Sequence, residues 1–231
     1  PELRGQITPA EESRFRDFTL EWVLGIFEEH GRDPGKFYDN DTREALRREA
    51  LAKAPPGDLW VFAYGSLMWD PAFHFAEVRR ARIEGYERRF IMVEDMARGT
   101  EDKPGAMAAL DIGAGCNGLI FRIAEDMIEQ ETEILCRREM IGPAYCPCFH
   151  PAQTDHGTEM TLMFVADHDA DVIQSDLTRE TQIEYISTGC GILGSSADYL
   201  RGIVSKLHTL GIDDPDTDAL LRDVEARIAA S

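Results

Sequence analysis

Two distant stretches of this chain carry residues suited to chemistry. The first is Val61-Phe62-Ala63-Tyr64-Gly65-Ser66-Leu67-Met68-Trp69. An apolar run, Leu59 to Ala63, breaks into an aromatic, a glycine and a serine, the pattern of a buried strand ending in a tight turn. Glycine lets the main chain turn sharply and lets a ligand come close to the backbone. The N–H groups of such a turn can line up as a small anion-binding nest. An ordinary strand-end turn is the competing reading, because one glycine–serine turn is a weak signal. The second stretch is Arg137-Arg138-Glu139-Met140. In a helix ending near Gly142, Leu135, Thr132 and Ile128 share a side with Glu139, so the carboxylate continues an inward-facing stripe. Burial penalises its charged form, and the last turn of a helix disfavours negative charge. Both effects raise its pKa toward the value a general base or acid needs. An ion pair with Arg137, Arg138 or a distant arginine is the alternative.

Other residues make weaker candidates. Arg88-Arg89, Arg98-Gly99-Thr100 and Lys103-Pro104-Gly105 are plausible anion contacts, and Arg98 lies in a Gly- and Pro-containing loop of the kind that gates ligands. Solvated loop charge is the default for each. Cys146-Pro147-Cys148 with His150 invites a metal reading, but no second cysteine pair has ligand spacing, so structural cysteines and no metal are expected. Cys190 has no nucleophile context, and no Ser-His-Asp set is identifiable from order alone. Gly189, Gly191 and Gly194 are not framed by a strand–glycine–helix unit, so they do not make a dinucleotide fingerprint.

The elements that must position these residues follow from periodicity. Thr8, Pro9 and Glu11 predict a capped helix start, with Phe15, Phe18, Trp22, Ile26 and Phe27 on its apolar face and His30-Gly31-Arg32-Asp33-Pro34-Gly35 as its stop. A second helix is expected over about 42–52, and Ala54-Pro55-Pro56-Gly57-Asp58 breaks the chain. Residues 1–57 therefore read as a helical N-terminal extension to a domain over 58–231. Strands are expected at Leu59–Ala63, within Glu77–Val93, at Ala106–Ile112 and at Cys116–Ile123, with Gly113-Ala114-Gly115 as a hairpin-like turn between the last two. A helix over about 124–141 carries Glu139. Ala144–Pro151 and Met160–Ala166 read as a strand pair. Helices close the chain: Leu177–Thr188, a stripe of Leu200, Ile203, Val204, Leu207 and Leu210 capped by Gly211, and a last one bearing Leu220, Leu221, Val224 and Ile228. This order predicts an α+β fold, with several short strands able to close into a small barrel.

Composition bounds the function classes. The chain has 231 residues, 43 acidic against 24 basic, and a formal net charge of −19. That balance argues against nucleic acid and anionic membrane surfaces as partners. No secretory leader or bilayer-length apolar run is read, although a chain opening on Pro1 is expected to have its natural start upstream. The odd cysteine count, five, suggests no disulfide framework and points to a reducing cytoplasm.

The ordered set of motifs resembles a known family, the ChaC-type γ-glutamylcyclotransferases of the glutathione-specific branch. Val61 to Trp69 looks like that family's substrate cradle, and Gly85-Tyr86-Glu87-Arg88-Arg89-Phe90 is similar to the segment that follows it. Arg98-Gly99-Thr100 through Pro104-Gly105 looks like its mobile loop. Arg138-Glu139-Met140 through Tyr145 looks like the segment bearing the catalytic glutamate. Gly194-Ser195-Ser196-Ala197-Asp198-Tyr199-Leu200 resembles a late helix start. The likeness runs over about 58–211. The chain departs from the family at Ala106, where a basic residue is common, at Phe164, where an aromatic hydroxyl is common, and in the acidic stretch Asp167 to Asp171. These departures bear on substrate preference.

The resemblance implies a small mixed barrel flanked by helices and cofactor-free cleavage of a γ-glutamyl amide. Glutathione would give 5-oxoproline and Cys-Gly. Glu139 would be the general acid/base. Tyr64, Gly65, Ser66, Leu67, Arg89 and Arg98 would bind the substrate. Another γ-glutamyl amino acid or amine is the alternative substrate. A non-catalytic binding module on the same fold, with residues 1–57 recruiting a partner, is the alternative of a different class.

Overall fold

The computed structural model of the chain describes residues 2–31 and 37–230, so residues 32–35 of the expected helix stop lie outside it. The chain divides into two units, Pro1–Ile83 with Gly118–Val165, and Glu84–Asn117 with Ala166–Ser231.

The first unit begins with α1 (Leu20–Glu29) and α2 (Asn40–Leu51). Each has a side-chain cap: the Trp22 N–H donates to Thr19 Oγ1 at 3.2 Å and the Thr42 N–H to Asp39 Oδ1 at 2.7 Å. Each bond satisfies an amide that a helix start leaves open. The start expected at Thr8-Pro9-Glu11 is corrected. That pattern yields one 3-10 turn, Ala10–Glu12, with no side-chain cap bond. Tertiary contacts override the local signal there, since the Thr8 N–H donates instead to the Trp69 carbonyl at 2.7 Å. Thr19 is the working cap.

Five strands close into a barrel in the order β1-β3-β2-β4-β5: β1 (Leu59–Ala63), β2 (Glu77–Glu94), β3 (Gly105–Ile123), β4 (Tyr145–Thr154) and β5 (Gly157–Ala166). Every residue of β1 is buried, which suits an unbroken apolar run with neighbours on both edges. It pairs antiparallel with β3, from Leu59 opposite Ile123 to Ala63 opposite Leu119, and parallel with β5, Trp60 opposite Thr161. β2 meets β4 antiparallel at Arg82–Gln153 and Ile83–Ala152. Phe62, Phe121, Phe164, Leu59, Met68 and Leu119 are fully buried in this unit, each side chain contributing about 1.5–3 kcal/mol by leaving water. A 3-10 turn, Glu125–Met127, leads into α3 (Ile128–Glu139), which buries Thr132, Ile134, Leu135 and Cys136. The buried Arg47 of α2 reaches across to Thr132 Oγ1 at 2.8 Å and to Glu129 Oε1 at 2.5 Å.

The second unit holds the outer part of β2, residues 84–94, and of β3, residues 105–117. The hairpin turn expected at Gly113-Ala114-Gly115 is corrected: β3 runs through it as one strand. Gly113 serves close approach instead. A Cβ on Gly113 would lie 2.1 Å from Glu87 Cγ, and the Ala114 N–H donates to Glu87 Oε2 at 3.3 Å. The unit continues with α4 (Arg179–Thr188), a two-stranded β6 (Cys190–Gly191) and β7 (Gly194–Ser195), α5 (Ser196–Leu210) and α6 (Pro215–Ala229). The expected stripe on α5 is buried, and Gly211 at φ 64° ends the helix in the left-handed conformation that favours glycine. On α6, Leu220 and Val224 are buried while Ile228 reaches the surface.

All five cysteines are free thiols. Among the described residues no cluster of histidine, cysteine, aspartate or glutamate could hold a metal ion, and no helix is long and apolar enough to cross a membrane.

Candidate active site

The turn after β1 is built as its residue types suggest. Gly65, at φ −125° and ψ −138°, swings the chain from strand into a 3-10 turn over Ser66–Met68. The Met68 N–H closes on the Gly65 carbonyl at 2.9 Å and the Trp69 N–H on the Ser66 carbonyl at 3.2 Å. The opening N–H groups of such a turn point out of its free end, which suits an anion or an oxyanion. Tyr64 and Leu67 are buried and fix the turn to the barrel, while Gly65 and Ser66 are partly open.

Glu139 is the last residue of α3, with its side chain 14 % exposed. Leu135 and Thr132, on its own side of the helix, are fully buried, so the inward stripe read from the sequence ends on this carboxylate. Burial pushes the Glu139 carboxyl above its ordinary range, and the Arg138 guanidinium partly opposes that rise. A carboxyl whose pKa is raised is better suited to take and return a proton than an ordinary glutamate.

Arg138 joins the two stretches. Its Nε lies 3.2 Å from Glu139 Oε1, its Nη2 donates to Ser66 Oγ at 2.6 Å, and its Nη1 donates to the Asp70 carbonyl. One buried guanidinium thus bridges the helix end and the turn, with residues 138 and 66 far apart in the chain. In the sequence Arg138 figures only as a possible ion-pair partner that would make Glu139 structural. The geometry gives the ion pair and a largely buried carboxylate with a raised pKa together, so an ion pair does not rule out proton transfer. The adjacency of Arg138 and Glu139 was the one available signal. Nothing in the sequence marks Ser66 as the other partner.

Arg89 and Arg98 belong to the second unit. The Arg89 guanidinium donates to Asp111 Oδ2 at 2.7 Å and to the Ser175 carbonyl at 2.8 Å. His168, from the acidic stretch, sits 2.7 Å from Asp111 Oδ1. Burial would raise the Asp111 carboxyl, but the His168 and Ile112 hydrogen bonds outweigh it and hold the group below its ordinary range. Arg88 is buried in an ion pair with Asp214. Arg98 lies over the Tyr199 ring at 5.7 Å and donates to the Ser195 carbonyl at 3.4 Å.

The loop carrying Arg98 is shaped by Glu94, whose carboxylate accepts from the Met96, Ala97 and Arg98 N–H groups. Burial raises the Glu94 carboxyl against those bonds. The glycine-rich break has its use here. The Ile192 and Leu193 N–H groups donate to the Met96 and Ala97 carbonyls at 2.9 and 2.8 Å. A Cβ on Gly191 would fall 2.0 Å from the Met96 oxygen.

A family model described as ChaC-like protein matches residues 59–230. A glutathione-specific gamma-glutamylcyclotransferase of Escherichia coli is 34 % identical over 191 residues, covering 82 % of this chain and 83 % of that relative. One from Schizosaccharomyces pombe is 31 % identical over 197 residues, covering 75 % of this chain and 95 % of that relative. The crystal structure of a gamma-glutamyl cyclotransferase specific to glutathione, from yeast, superposes with a TM-score of 0.67 at 19 % identity, covering 76 % of this chain and 99 % of that one. That likeness is one of fold: a mixed α+β architecture on a small barrel.

Proposed function

The chain belongs to the ChaC-like family, and from that membership we propose that it is a γ-glutamylcyclotransferase that cleaves glutathione to 5-oxoproline and Cys-Gly. The observation that carries the mechanism is the largely buried Glu139 carboxylate tied through Arg138 to Ser66 of the turn.

In this reading the turn at Tyr64–Leu67 holds the glutamyl end of the substrate through main-chain N–H groups. The substrate's α-ammonium gives a proton to Glu139, and the freed nitrogen attacks the γ-carbonyl carbon. A new C–N bond closes the five-membered lactam. The amide C–N bond to cysteine breaks as Glu139 returns the proton to the departing nitrogen; the ring nitrogen sheds its second proton on becoming the lactam N–H, and that proton passes to the departing amine, which leaves as an ammonium. The two products together contain the atoms of glutathione, so neither water nor an oxidant enters. Nucleophile and electrophile share one molecule, so most of the task is to fold the glutamyl chain into an attacking geometry. Oxyanion charge on the γ-carbonyl develops beside the turn's donors, in a site that limits water. No metal or organic cofactor is needed for these proton transfers. Arg89 and Arg98 are proposed as further substrate contacts; Arg98 supports this better, because the Arg89 guanidinium is paired with Asp111. The free cysteines suit a reducing cytoplasm as the working compartment.

The test is a coupled assay for Cys-Gly and 5-oxoproline, with glutathione and γ-glutamyl-alanine run side by side. Release of both products from glutathione is expected. Turnover of γ-glutamyl-alanine alone would move the substrate class, and no product from either compound would overturn the enzymatic reading.

A further inference from the structure

The segment before α1 lies against the catalytic helix, and one of its side chains touches Arg138. The Arg138 Cζ stands 4.2 Å from the centre of the Phe15 ring. The three edge nitrogens of that guanidinium are already engaged: Nε with Glu139, Nη2 with Ser66 and Nη1 with the Asp70 carbonyl. A planar cation with its edges occupied has only its faces left to pack, and an aromatic face attracts it.

The ring is itself held in place. The Phe15 N–H donates to Ser13 Oγ at 3.2 Å, and the ring meets Phe18 at 6.1 Å. The next residue, Arg16, donates to both oxygens of the fully buried Glu131 at 2.9 and 3.2 Å and to the Ala72 carbonyl at 2.9 Å. Arg137 of α3 returns a bond to the Arg16 carbonyl at 3.1 Å. Ala72 has φ 66°, uncommon for a residue other than glycine, in the stretch that follows the turn. The segment therefore contacts α3 and the stretch after the turn, the two parts of the chain that Arg138 joins.

We propose that Phe15 is a positioning residue for the reaction: its ring keeps the Arg138 guanidinium in the plane that reaches Glu139 and Ser66 at once. The segment before α1 is then a working part of the site. The inference rests on Glu139 as the proton-transferring group. With the ring gone, the guanidinium face opens to water and only the edge contacts hold its plane. Glu139 then loses its fixed orientation toward the substrate nitrogen, and the loss falls on kcat more than on KM.

The experiment compares Phe15→Trp, Phe15→Leu and Phe15→Ala with the unaltered enzyme, by steady-state kinetics on glutathione and by thermal unfolding. Leu fills much of the space without offering an aromatic face; Trp offers the strongest one. Phe15→Leu and Phe15→Ala should lose roughly 3- to 30-fold in kcat, the range of one partly desolvated cation–ring contact, with KM nearly unchanged. Phe15→Trp should restore kcat. A Phe15→Leu protein that melts like the parent and keeps its kcat overturns the proposal, as does a loss confined to KM or one that Trp does not rescue. Should Phe15→Ala not fold, the Leu and Trp pair decides alone. Glu139→Gln is assayed in the same series. If it stays active, the proton-transfer role fails, whatever the Phe15 variants do. If it is inactive while Phe15→Leu is normal, only the positioning role fails.

Discussion

At the scale of single residues, Glu139 is a carboxyl on which burial and a neighbouring cation pull in opposite directions, with burial stronger. Its folded-state pKa therefore lies above its unfolded value. The folded chain binds that proton more tightly, so the group's contribution to stability is most favourable at low pH and declines as pH rises through the folded pKa. Glu139→Gln should accordingly fold at least as stably as the parent near neutrality, with the parent's relative melting point falling as pH rises. Its turnover should drop by at least about 100-fold, the usual worth of a placed acid/base. Retained turnover in that variant would remove the proposed base. The raised pKa of the free protein also places the acidic limb of the kcat/KM profile above the ordinary glutamate value of about 4.3. Arg138 is what holds it down, so Arg138→Gln should move the limb to still higher pH while lowering kcat. A limb that stays put would show that Arg138 does not act on the carboxylate.

At the scale of elements, the turn at 64–67 depends on how closely β3 packs beside the end of β1. Gly118 is the residue before Leu119, the partner of Ala63, and a Cβ there would lie 2.3 Å from the Ala63 carbonyl oxygen and 2.9 Å from the Phe62 ring. Both neighbours are buried and cannot yield easily. Gly118→Ala is expected to cost roughly 1–3 kcal/mol by overpacking and to displace the strand end that launches the turn. Urea unfolding and glutathione turnover should both register it; an unchanged midpoint would mean the strand end relaxes freely. The same element shows why some sequence expectations fail. Gly113 looks like a turn residue, but its missing side chain makes room for Glu87, and no local signal separates those two uses of glycine.

At the scale of the first unit as a whole, the N-terminal residues are held to the rest of the unit by polar contacts, one of them to a fully buried carboxylate. Glu131 is fully buried and accepts from Arg16 and from the His74 N–H at 2.8 Å. Arg4 donates to the Ala76 carbonyl at 2.9 Å. Breaking a buried pair from one side strands the other charge. Glu131→Ala is expected to lose about 3–5 kcal/mol, read as a lower denaturation midpoint. A change under about 1 kcal/mol would show that Arg16 simply turns to water. In the sequence these residues look like a helical extension apart from the functional part, because contacts between Arg16 and Glu131 have no local signature.

The sequence by itself determined the strand Leu59–Ala63, the turn after it, the stripe leading to Glu139 and the α+β class, because each rests on periodicity or on residues close in the chain. It singled out Glu139 and the Tyr64–Leu67 turn as candidates beside ordinary structural readings, and the family resemblance turned both into expected site residues. Only the tertiary structure decided that Arg138 bridges Ser66 and Glu139, that Phe15 stacks on that arginine, and that the chain from 10 to 18 avoids the helix its capping residues suggest. Those outcomes depend on through-space contacts between residues distant in the chain. Their energies rival local propensity, and spacing along the polymer does not encode them.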